Sequence, residues 1–326
     1  MKRVIGLGHA LVDLLYKMPD DSMLAELNLP KGSMQLIDEQ QADAIEKLLQ
    51  NKRVEKVSGG SAANTIHGLA RLGVECGYIG TVHADSLGDF YKNDLREAGI
   101  SAILFNGKSK TGRAYTFVSP DSERTFATYL GASSEIELCD ITPDTFKAYD
   151  IFHIEGYQVY NTPLISHCIR VAKEAGLTVS IDMASYNVVE DNLSFLKKAL
   201  PSYVDMVFAN EEEARAYTGL EPAEALKVFA KDCETAIVKV GKDGSLIHAE
   251  NKTWKAGIIA CQPVDTTGAG DAYAAGYIYG IIQGLSPEKC GQIGALLAGK
   301  VIEKYGARIP ESDWKSIIGE IDRIKQ

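Results

Sequence analysis

The sequence predicts an α/β fold built around a mainly parallel β-sheet with helices on both faces. Short apolar runs typical of buried strands alternate along the 326 residues with longer segments of helical periodicity, and such alternation is typical of parallel sheets. No Pro/Ser-rich linker, internal repeat or long charge block divides the chain. We therefore expect a single domain over residues 1–326, with one large core and room for a small addition.

The alternating elements can be placed along the chain. Strands are predicted at residues 2–8, 76–82, 151–154, 177–182, 204–209 and 235–240. Helices are predicted at residues 61–72, 86–98, 162–175, 190–199 and 222–231. Near the C-terminus, an apolar, strand-like run from Ala256 to Val264 precedes a helix predicted from Ala272 to Ile282.

Two regions interrupt this alternation, at about residues 11–38 and 102–130. In the second, Arg113–Val118 and Arg124–Tyr129 are predicted to form a hairpin around Ser119-Pro120-Asp121-Ser122, because turn-forming residues separate two β-rich runs. We expect these regions to form a small β-sheet lid inserted in the α/β core. A lid that closes over bound substrate excludes water from the reaction.

The most informative stretch is Asp265-Thr266-Thr267-Gly268-Ala269-Gly270-Asp271, which is predicted to lie at a strand-to-helix turn. Small residues let the backbone approach an anion, and the first amides of a helix lack intrahelical partners. The amides of Gly268, Ala269 and Gly270 are therefore candidates to hold a transferring phosphoryl group. Asp271 would act as general base on a substrate hydroxyl.

A structural alternative exists for Asp271, which as an N-cap or first-turn residue would only satisfy helix amides. We favour the catalytic interpretation because two acids, two threonines and two glycines in this order are far more specific than a lone glycine-rich turn.

Residues Asp265 to Tyr277, DTTGAGDAYAAGY, resemble the C-terminal signature of the PfkB or ribokinase-like family of carbohydrate and nucleoside kinases. Ser58 to Gly73, SGGSAANTIHGLARLG, resembles the N-terminal motif of the same family. The resemblance implies a ribokinase-like three-layer α/β/α core with a mainly parallel sheet and a small β-sheet lid. It also implies an ATP- and Mg²⁺-dependent kinase that transfers the γ-phosphoryl group to a primary hydroxyl.

The resemblance implies an acceptor site in which a glycine pair approaches the sugar while carboxylate and amide side chains bind its hydroxyls. The residues implied in acceptor binding are Asp13, Gly59, Gly60, Ser61 and Asn64. Arg124 is a further candidate because it lies in the predicted lid, from which it would reach the phosphates or the acceptor; its alternative is an exposed charge at a strand edge.

The resemblance also implies a nucleotide and Mg-phosphate side. Its residues are Asn210, Glu213, Lys239, Gly241 and Thr267. Asn210 and Glu213 match an N-x-x-E pattern whose role would be largely water-mediated, so no direct protein ligand for Mg²⁺ is expected. Asn210 is also predicted to cap a helix from Glu211 to Tyr217, and Lys239 has a structural alternative inside an apolar strand.

Composition excludes some classes of partner. The net charge is −10, with 44 acids against 34 bases, which argues against nucleic acid, and no apolar run reaches the length of a membrane span. The six cysteines have no paired spacing and are predicted to be reduced core residues in a cytosolic protein. Residues 1–15 superficially resemble a signal peptide, but Asp13 interrupts the apolar run and an opening buried strand is expected instead. We expect a cytoplasmic protein that acts on a small molecule.

Two other classes of function were weighed. Gly6-Leu7-Gly8 begins a dinucleotide fingerprint, but Leu11 stands where its third glycine belongs, and no Walker phosphate loop is present. A non-catalytic nucleoside or sugar sensor is the second alternative. A sensor would have no need of a positioned base, so the presence of Asp271 in the motif argues against this alternative.

The acceptor is predicted less sharply than the reaction. Gly8 to Asp13, Lys31 to Met34 and Gly306-Ala307-Arg308 resemble the adenosine-kinase-like branch, which implies the ribose 5′-hydroxyl of adenosine or a related nucleoside. Met34 departs from the polar residue expected beside adenine, so ribose, fructose and other carbohydrates stay open as acceptors. The resemblance also offers a monovalent-cation site, for K⁺, near Asp265, Thr267 and residues 306–308. The sequence is compatible with a monomer or a homodimer.

Overall fold

The computed structural model describes residues 2–121 and 123–326, which form two β-sheets and the helices around them. The strands are β1 (Val4–Leu7), β2 (Leu11–Lys17), β3 (Met34–Leu36), β4 (Glu55–Gly59), β5 (Cys76–Val82), β6 (Ser101–Asn106), β7 (Gly112–Val118), β8 (Arg124–Tyr129), β9 (Ile151–Glu155), β10 (Thr178–Asp182), β11 (Met206–Asn210), β12 (Thr235–Lys239), β13 (Ser245–Ala249) and β14 (Lys252–Ala256). The helices are α1 (Ser22–Glu26), α2 (Glu39–Leu49), α3 (Ser61–Arg71), α4 (Ser86–Glu97), α5 (Pro143–Phe146), α6 (Thr162–Glu174), α7 (Tyr186–Asp191), α8 (Leu193–Tyr203), α9 (Glu211–Thr218), α10 (Pro222–Asp232), α11 (Ala269–Ile282), α12 (Pro287–Ile302) and α13 (Trp314–Lys325).

The larger sheet has nine strands in the order β14-β13-β12-β11-β10-β9-β1-β5-β6. The run from β12 to β6 is parallel, and β13 and β14 continue it as an antiparallel hairpin. The chain adds β5 and β6 on one side of β1 and then β9 to β12 on the other. In open parallel sheets, the carboxyl ends of the strands beside such a reversal form a cleft that binds ligands.

Alternate side chains of the buried strands enter separate cores on the two faces of this sheet, as the pleat requires. In β11, Met206 and Phe208 belong to one core, and Val207 and Ala209 belong to the other. The first core also contains residues of α3, α11 and α12, and the second contains residues of α6, α8 and α10. The predicted α/β class with helices on both faces of a mainly parallel sheet is confirmed.

Helices α11 and α12 pack with their backbones in close contact because small residues face each other. A Cβ at Gly276 would lie 2.7 Å from the carbonyl oxygen of Ile293 and 2.8 Å from the backbone of Gly294. A Cβ at Gly280 would lie 2.8 Å from the Cα of Cys290. This packing holds the N-terminal end of α11, where the glycine-rich motif lies, against the rest of the core.

The smaller sheet has five strands in the order β3-β8-β7-β2-β4. The chain enters it directly from the centre of the large sheet, because β1 ends at Leu7 and β2 begins at Leu11. Val12, Leu14 and Tyr16 of β2 are buried on one face. The intervening residues of β2 are half-buried and face the cavity described below.

The predicted boundaries of the small sheet need two corrections. Ser101–Asn106, which fell inside the predicted lid region, pairs with β5 at the edge of the large sheet. Glu55–Gly59 was not predicted, yet it pairs with β2. Its sequence, EKVSG, has only one large apolar residue because it is an edge strand with exposed side chains.

The C-terminal strand prediction is wrong. The strand β14 ends at Ala256, and residues 257–264 contain no strand, so the motif at 265–271 follows an irregular segment instead of a strand. Pro263 lacks an amide for strand pairing. Ile258 and Ile259 line the cavity, and Ile259 also packs against the edge of the core.

Other element predictions hold with smaller changes. The helix predicted at 190–199 is two helices, α7 and α8, that meet at Asn192. The hairpin prediction is confirmed by the antiparallel pairing of Val118 with Arg124; Ser122 of its turn lies outside the described residues. The segment Gly6-Leu7-Gly8, which begins like a dinucleotide fingerprint, leads into strand β2. A true fingerprint opens a helix instead.

The cysteines agree only in part with a buried, reduced set. Cys76, Cys168, Cys233 and Cys290 are buried and free. Cys139, in contrast, is exposed, and Cys261 is half-buried on the wall of the cavity. None of the helices in the described ranges is both long and apolar enough to cross a membrane.

The α11–α12 contact gives a first prediction. Gly276→Ala should lower the free energy of unfolding by about 1–3 kcal/mol, since its methyl group would meet backbone that cannot move aside. Gly319→Ala in α13 is the matched control, because a Cβ there has nothing within 4 Å. That change should be neutral or stabilising by up to about 1 kcal/mol. Urea unfolding of both variants measures the difference, and equal effects would contradict the close-contact argument.

Candidate active site

A cavity of about 1040 Å³ lies between the carboxyl edge of the large sheet and the small sheet. Its walls include most of the residues singled out from the sequence. These are Asp13, Gly60, Ser61, Asn64, Arg124, Asn210, Glu213, Lys239, Gly241, Thr267, Gly268, Ala269, Gly270 and Asp271. Gly59 is buried behind this wall and does not line it.

Asp271 lies in the first turn of α11, and its side chain bonds to another helix. Ser61 Oγ donates to Asp271 Oδ1 at 2.6 Å, and Asn64 Nδ2 donates to Oδ2 at 3.0 Å. Both donors belong to α3, whose residue Thr65 also donates to the backbone oxygen of Asp271 at 3.2 Å. The N-cap position of α11 is Gly268. Asp271 is therefore a first-turn residue, one of the two positions of the structural alternative, but the hydrogen bonds of its carboxylate go to side chains of α3.

Burial raises the pKa of Asp271 to about 7. The hydrogen bonds from Ser61 and Asn64 oppose this rise, whereas the nearby carboxylates of Asp182 and Glu155 add to it. A carboxyl group that titrates near neutral pH can accept a proton at pH 7 and release it again, as general-base chemistry requires.

The glycine-rich turn next to Asp271 is held open by backbone geometry. Gly268 has φ of 76°, and a Cβ there would lie 2.6 Å from the carbonyl oxygen of Ala307. Ala269 N–H already donates to Thr266 O at 3.2 Å, so an anion would compete with that bond for this amide. The amide of Gly270 precedes the first intrahelical bond, from Ala272 to Gly268, and helix amides at this position are free to bind an anion.

Asp13 lies on the same cavity wall, against the glycine pair Gly59-Gly60. A Cβ at Gly59 would overlap the Asp13 carboxylate, and Gly60 has φ of 97°, with its missing Cβ directed at the carbonyl oxygen of His9. Only glycine fits these positions. Burial raises the pKa of Asp13 to about 7, and the positive charge of Arg308 opposes that rise.

The small sheet supplies an apolar wall beside Asp13. In β-sheet register, Asp13 lies opposite Ala114 and Val57, and Leu15 lies opposite Thr116. Thr116 lies opposite Phe126 of β8. All of these residues line the cavity. The polar patch around Asp13 and the apolar wall of the small sheet therefore lie side by side in the cavity.

Asn210 and Glu213 form a capping box at the start of α9, as the helix-capping interpretation predicted. Glu213 accepts hydrogen bonds at 2.7 Å from both the backbone and the side-chain nitrogen of Asn210. Burial raises the pKa of Glu213. Among the described residues, no group of three or more His, Cys, Asp or Glu side chains could hold a metal ion. The Asn210 and Glu213 side chains already bond to each other, so an incoming Mg²⁺ would rely mainly on phosphate and water ligands.

Lys239 ends β12 and forms a buried ion pair with Asp182, at 2.9 Å between Nζ and Oδ2. Burial lowers the pKa of Lys239, but the attraction of Asp182 and Glu213 outweighs it and holds the pKa above its usual value. The Nζ atom would lie 3.0 Å from a Cβ at Gly270. A permanent positive charge thus adjoins the glycine-rich turn, so the structural alternative for Lys239 and a role beside phosphate are compatible.

Arg124 is not an exposed strand-edge charge, because its side chain is 11% exposed and reaches across from the small sheet. Its Nη1 lies 2.5 Å from Asp265 Oδ1 and donates to Thr267 Oγ1 at 3.0 Å. Asp265 also accepts from the amides of Thr267 and Gly306, at 3.0 and 2.6 Å. Both carboxylate oxygens are engaged and an arginine already neutralises them, so this arrangement does not fit the K⁺ site considered near Asp265 and Thr267.

Sequence reasoning missed Asp182 and Glu155. They end the adjacent strands β10 and β9, so both carboxylates lie at the same edge of the sheet as the cavity. Glu155 is fully buried and accepts from the amides of His9 and Ala62, at 2.8 and 2.9 Å. The available signal was an acid directly at the end of a buried, apolar strand.

A family model described as pfkB family carbohydrate kinase matches residues 31–314. A probable sugar kinase from Rhizobium etli has a solved structure that is similar at a TM-score of 0.87, with 33% identity and 98% of each chain covered. The structure of an adenosine kinase from Sinorhizobium meliloti is similar at a TM-score of 0.86, with 33% identity over 98% of this chain and 99% of that one. An uncharacterized sugar kinase from Archaeoglobus fulgidus is 30% identical over 74% of this chain and 96% of its own length.

The buried carboxyl of Asp271 gives a prediction about stability. Asp271→Asn should be more stable than the wild type at pH 8, and the difference should shrink as the pH falls towards 5. The folded wild type, with the Asp271 pKa near 7, binds a proton that the unfolded chain, with a pKa of about 3.9, has lost. The stability that this protonated carboxyl group contributes to the wild type is therefore fully present at low pH. It is lost as the pH rises through the pKa of the folded state.

Asparagine removes the charge and can keep both contacts, by donating to Ser61 and accepting from Asn64. Urea unfolding at pH 5 and pH 8 measures the effect. Asp243→Asn, at an exposed position, is the control and should show no such pH dependence. A stability difference for Asp271→Asn that is the same at both pH values would contradict the buried-charge argument.

Proposed function

We propose, since this chain belongs to the PfkB family of carbohydrate kinases, that it transfers the γ-phosphoryl group of ATP to the ribose 5′-hydroxyl of adenosine or a related nucleoside. The chain is an ATP-dependent carbohydrate or nucleoside kinase, and kinases of this family use ATP and Mg²⁺. The observation that carries this proposal is the buried Asp271. It lines the same cavity as the glycine-rich turn and as Asp13 and Gly60, which form the proposed acceptor end.

In this proposal Asp271 accepts the proton of the acceptor hydroxyl as the oxygen attacks the γ-phosphorus. A bond forms between that oxygen and phosphorus, the bond to the β,γ-bridging oxygen breaks, and ADP leaves. The proton then passes from Asp271 to solvent. The hydrogen bonds from Ser61 and Asn64 hold the carboxylate in place, at 2.6 and 3.0 Å, so that little reorganisation is needed.

The amides of Gly268 to Gly270 would bind the transferring phosphoryl group. Free amides at a helix N-terminus stabilise developing negative charge, and this electrostatic effect supplies most of the catalysis in phosphoryl transfer. Lys239 adds a cation beside Gly270. Ala269 would exchange its bond to Thr266 for one to phosphate.

The acceptor end supports a nucleoside more strongly than a simple sugar. Asp13 and the glycine pair offer a place for ribose hydroxyls, while Leu15, Val57 and Phe126 offer an apolar surface for a base. Met34, the reason for doubting adenosine, is 54% exposed and does not line the cavity. The similar S. meliloti structure is an adenosine kinase.

A carbohydrate such as ribose or fructose is the second candidate acceptor. The observation that favours it is that Asp13 and the glycine pair are sufficient to bind a sugar without the apolar wall. Two of the similar proteins are named sugar kinases.

The general-base role of Asp271 gives a prediction about turnover. Asp271→Asn should lower kcat by about 10²- to 10⁴-fold, the scale expected for loss of a general base, while acceptor binding is retained. Acceptor-dependent release of ADP measures kcat, and thermal stabilisation by the acceptor measures binding. Turnover within about threefold of the wild type would rule out Asp271 as the base.

The apolar wall gives a prediction about the acceptor. With Mg-ATP, a panel of adenosine, other nucleosides, ribose and fructose should give the highest kcat/KM with a nucleoside. Phe126→Ala should raise KM for that nucleoside by about tenfold, as expected for loss of one aromatic contact to a base, and change KM for ribose little. Tyr203→Ala, at an exposed aromatic outside the cavity, is the control. A preference for ribose or fructose, unaffected by Phe126→Ala, would establish the sugar-kinase alternative.

A further inference from the structure

Arg308 lies between α12 and α13, and its side chain is only 11% exposed. Its Nη1 donates to Asp94 Oδ2 at 2.7 Å, and its Nε donates to Asn64 Oδ1 at 3.3 Å. Asn64 donates in turn from Nδ2 to Asp271 Oδ2 at 3.0 Å. Two hydrogen bonds in series therefore connect Arg308 to the carboxylate at the centre of the site.

We propose that Arg308 is a positioning residue for phosphoryl transfer: it fixes the Asn64 amide so that it donates to Asp271, and it supplies a counter-charge that favours the charged form of Asp13. Arg308 does not act on phosphate in this proposal. The inference rests on the proposed function of Asp271 as the base.

The first half of the proposal follows from donor and acceptor chemistry. The two ends of an amide differ, because the oxygen accepts hydrogen bonds and the nitrogen donates them. A guanidinium group only donates, so its contact with Asn64 Oδ1 directs Nδ2 towards Asp271. Without Arg308 the amide can rotate by half a turn and present its oxygen to the carboxylate, which would repel the charged form of the base.

The second half follows from the charges around the guanidinium. Arg308 and Asp13 line the same cavity, and Asp94 of α4 lies 2.7 Å from Arg308. The other titratable groups that face Arg308 are Tyr91 of α4, His67 of α3 and Tyr78 of β5. Burial and the charge of Arg308 lower the pKa of His67 to about 3, and burial raises the pKa of both tyrosines. These three groups are therefore neutral near pH 7, which leaves Arg308 as the counter-charge for Asp94 and Asp13.

The contacts of Arg308 exceed what a simple anchor would need. Asp94 is already bound by Ser58 Oγ, and the Arg308 Nη2 atom is buried without a hydrogen-bond partner among the described residues. A buried donor without a partner destabilises the folded chain. An arginine held at such a cost, with its Nε on the amide that binds the base, is better explained by the site than by stability alone.

The test compares Arg308→Gln, Arg308→Lys and Asp94→Asn with the wild type, with Mg-ATP and the best acceptor of the wild-type panel. Arg308→Gln should lower kcat by about 10- to 100-fold, the scale for a misplaced catalytic group. It should also move the acidic limb of the pH profile of kcat/KM to higher pH, because Asp13 loses a nearby cation. Arg308→Lys keeps the charge, but its single nitrogen cannot occupy the positions of both Nη1 and Nε, which contact Asp94 and Asn64, so the limb should stay in place while kcat falls.

Asp94→Asn is the matched control for anchoring. It removes the ion pair and an anion, so stability should fall, and the limb should stay in place or move to lower pH. An unchanged limb and a kcat within about threefold of the wild type in Arg308→Gln would overturn the proposal. So would a limb that moves equally in the Gln and Lys variants. If Arg308→Gln does not fold, Arg308→Lys decides, because a wild-type kcat in that variant would overturn the positioning role.

Failure of the proposed function is distinguishable from failure of this inference. A wild type that phosphorylates no acceptor of the panel would overturn the proposed function by itself. Urea unfolding, which needs no substrate, still tests the counter-charge: Arg308→Gln should lose more stability at pH 8, where Asp13 is charged, than at pH 5. An equal loss at both pH values would overturn that half of the inference.

Discussion

The interaction on which the site depends is the pairing of the Asp271 carboxylate with donors from α3. A buried carboxylate has lost its hydration, and an unpaired one costs several kcal/mol. Ser61 and Asn64 recover part of this cost without a salt bridge. A direct cation would hold the proton affinity of the carboxylate low, whereas neutral donors leave the pKa near 7. Pairing with neutral donors instead of a cation therefore allows the Asp271 carboxyl group to gain and lose a proton near pH 7.

The same solution recurs around the cavity. The buried carboxylate of Glu155 accepts from two backbone amides, one at the crossing from β1 to β2 and one at the start of α3. Glu213 accepts from Asn210 at the start of α9. Cations are kept one step away, with Lys239 paired to Asp182. Each acid thus fixes the end of a strand or helix that carries another part of the site.

Sequence reasoning found what is encoded locally. The turn at 265–271 and the motif around Asn64 are contiguous, so their chemistry is legible in order and spacing. The partners from distant strands were missed, because Asp182 becomes a site residue only when β10 lies beside β11 and β9 in the sheet. The edge strand 55–59 has almost no apolar pattern, and much of the apolar run 256–264 lines the cavity without forming a strand. In both cases tertiary contacts override the local pattern.

These features make the protein least stable when the carboxylates around the cavity are charged. Burial raises the pKa of Asp13, Asp271 and Glu155 to about 7, so at neutral pH a substantial fraction of each is charged at a cost in folding free energy. Cations such as Lys239 and Arg308, which pair directly with Asp182 and Asp94, limit that cost. Burying carboxylates around one cavity lowers the stability of the folded protein, as is typical of active sites. Close glycine contacts and ion pairs around the same cavity hold these carboxylates in place despite that cost.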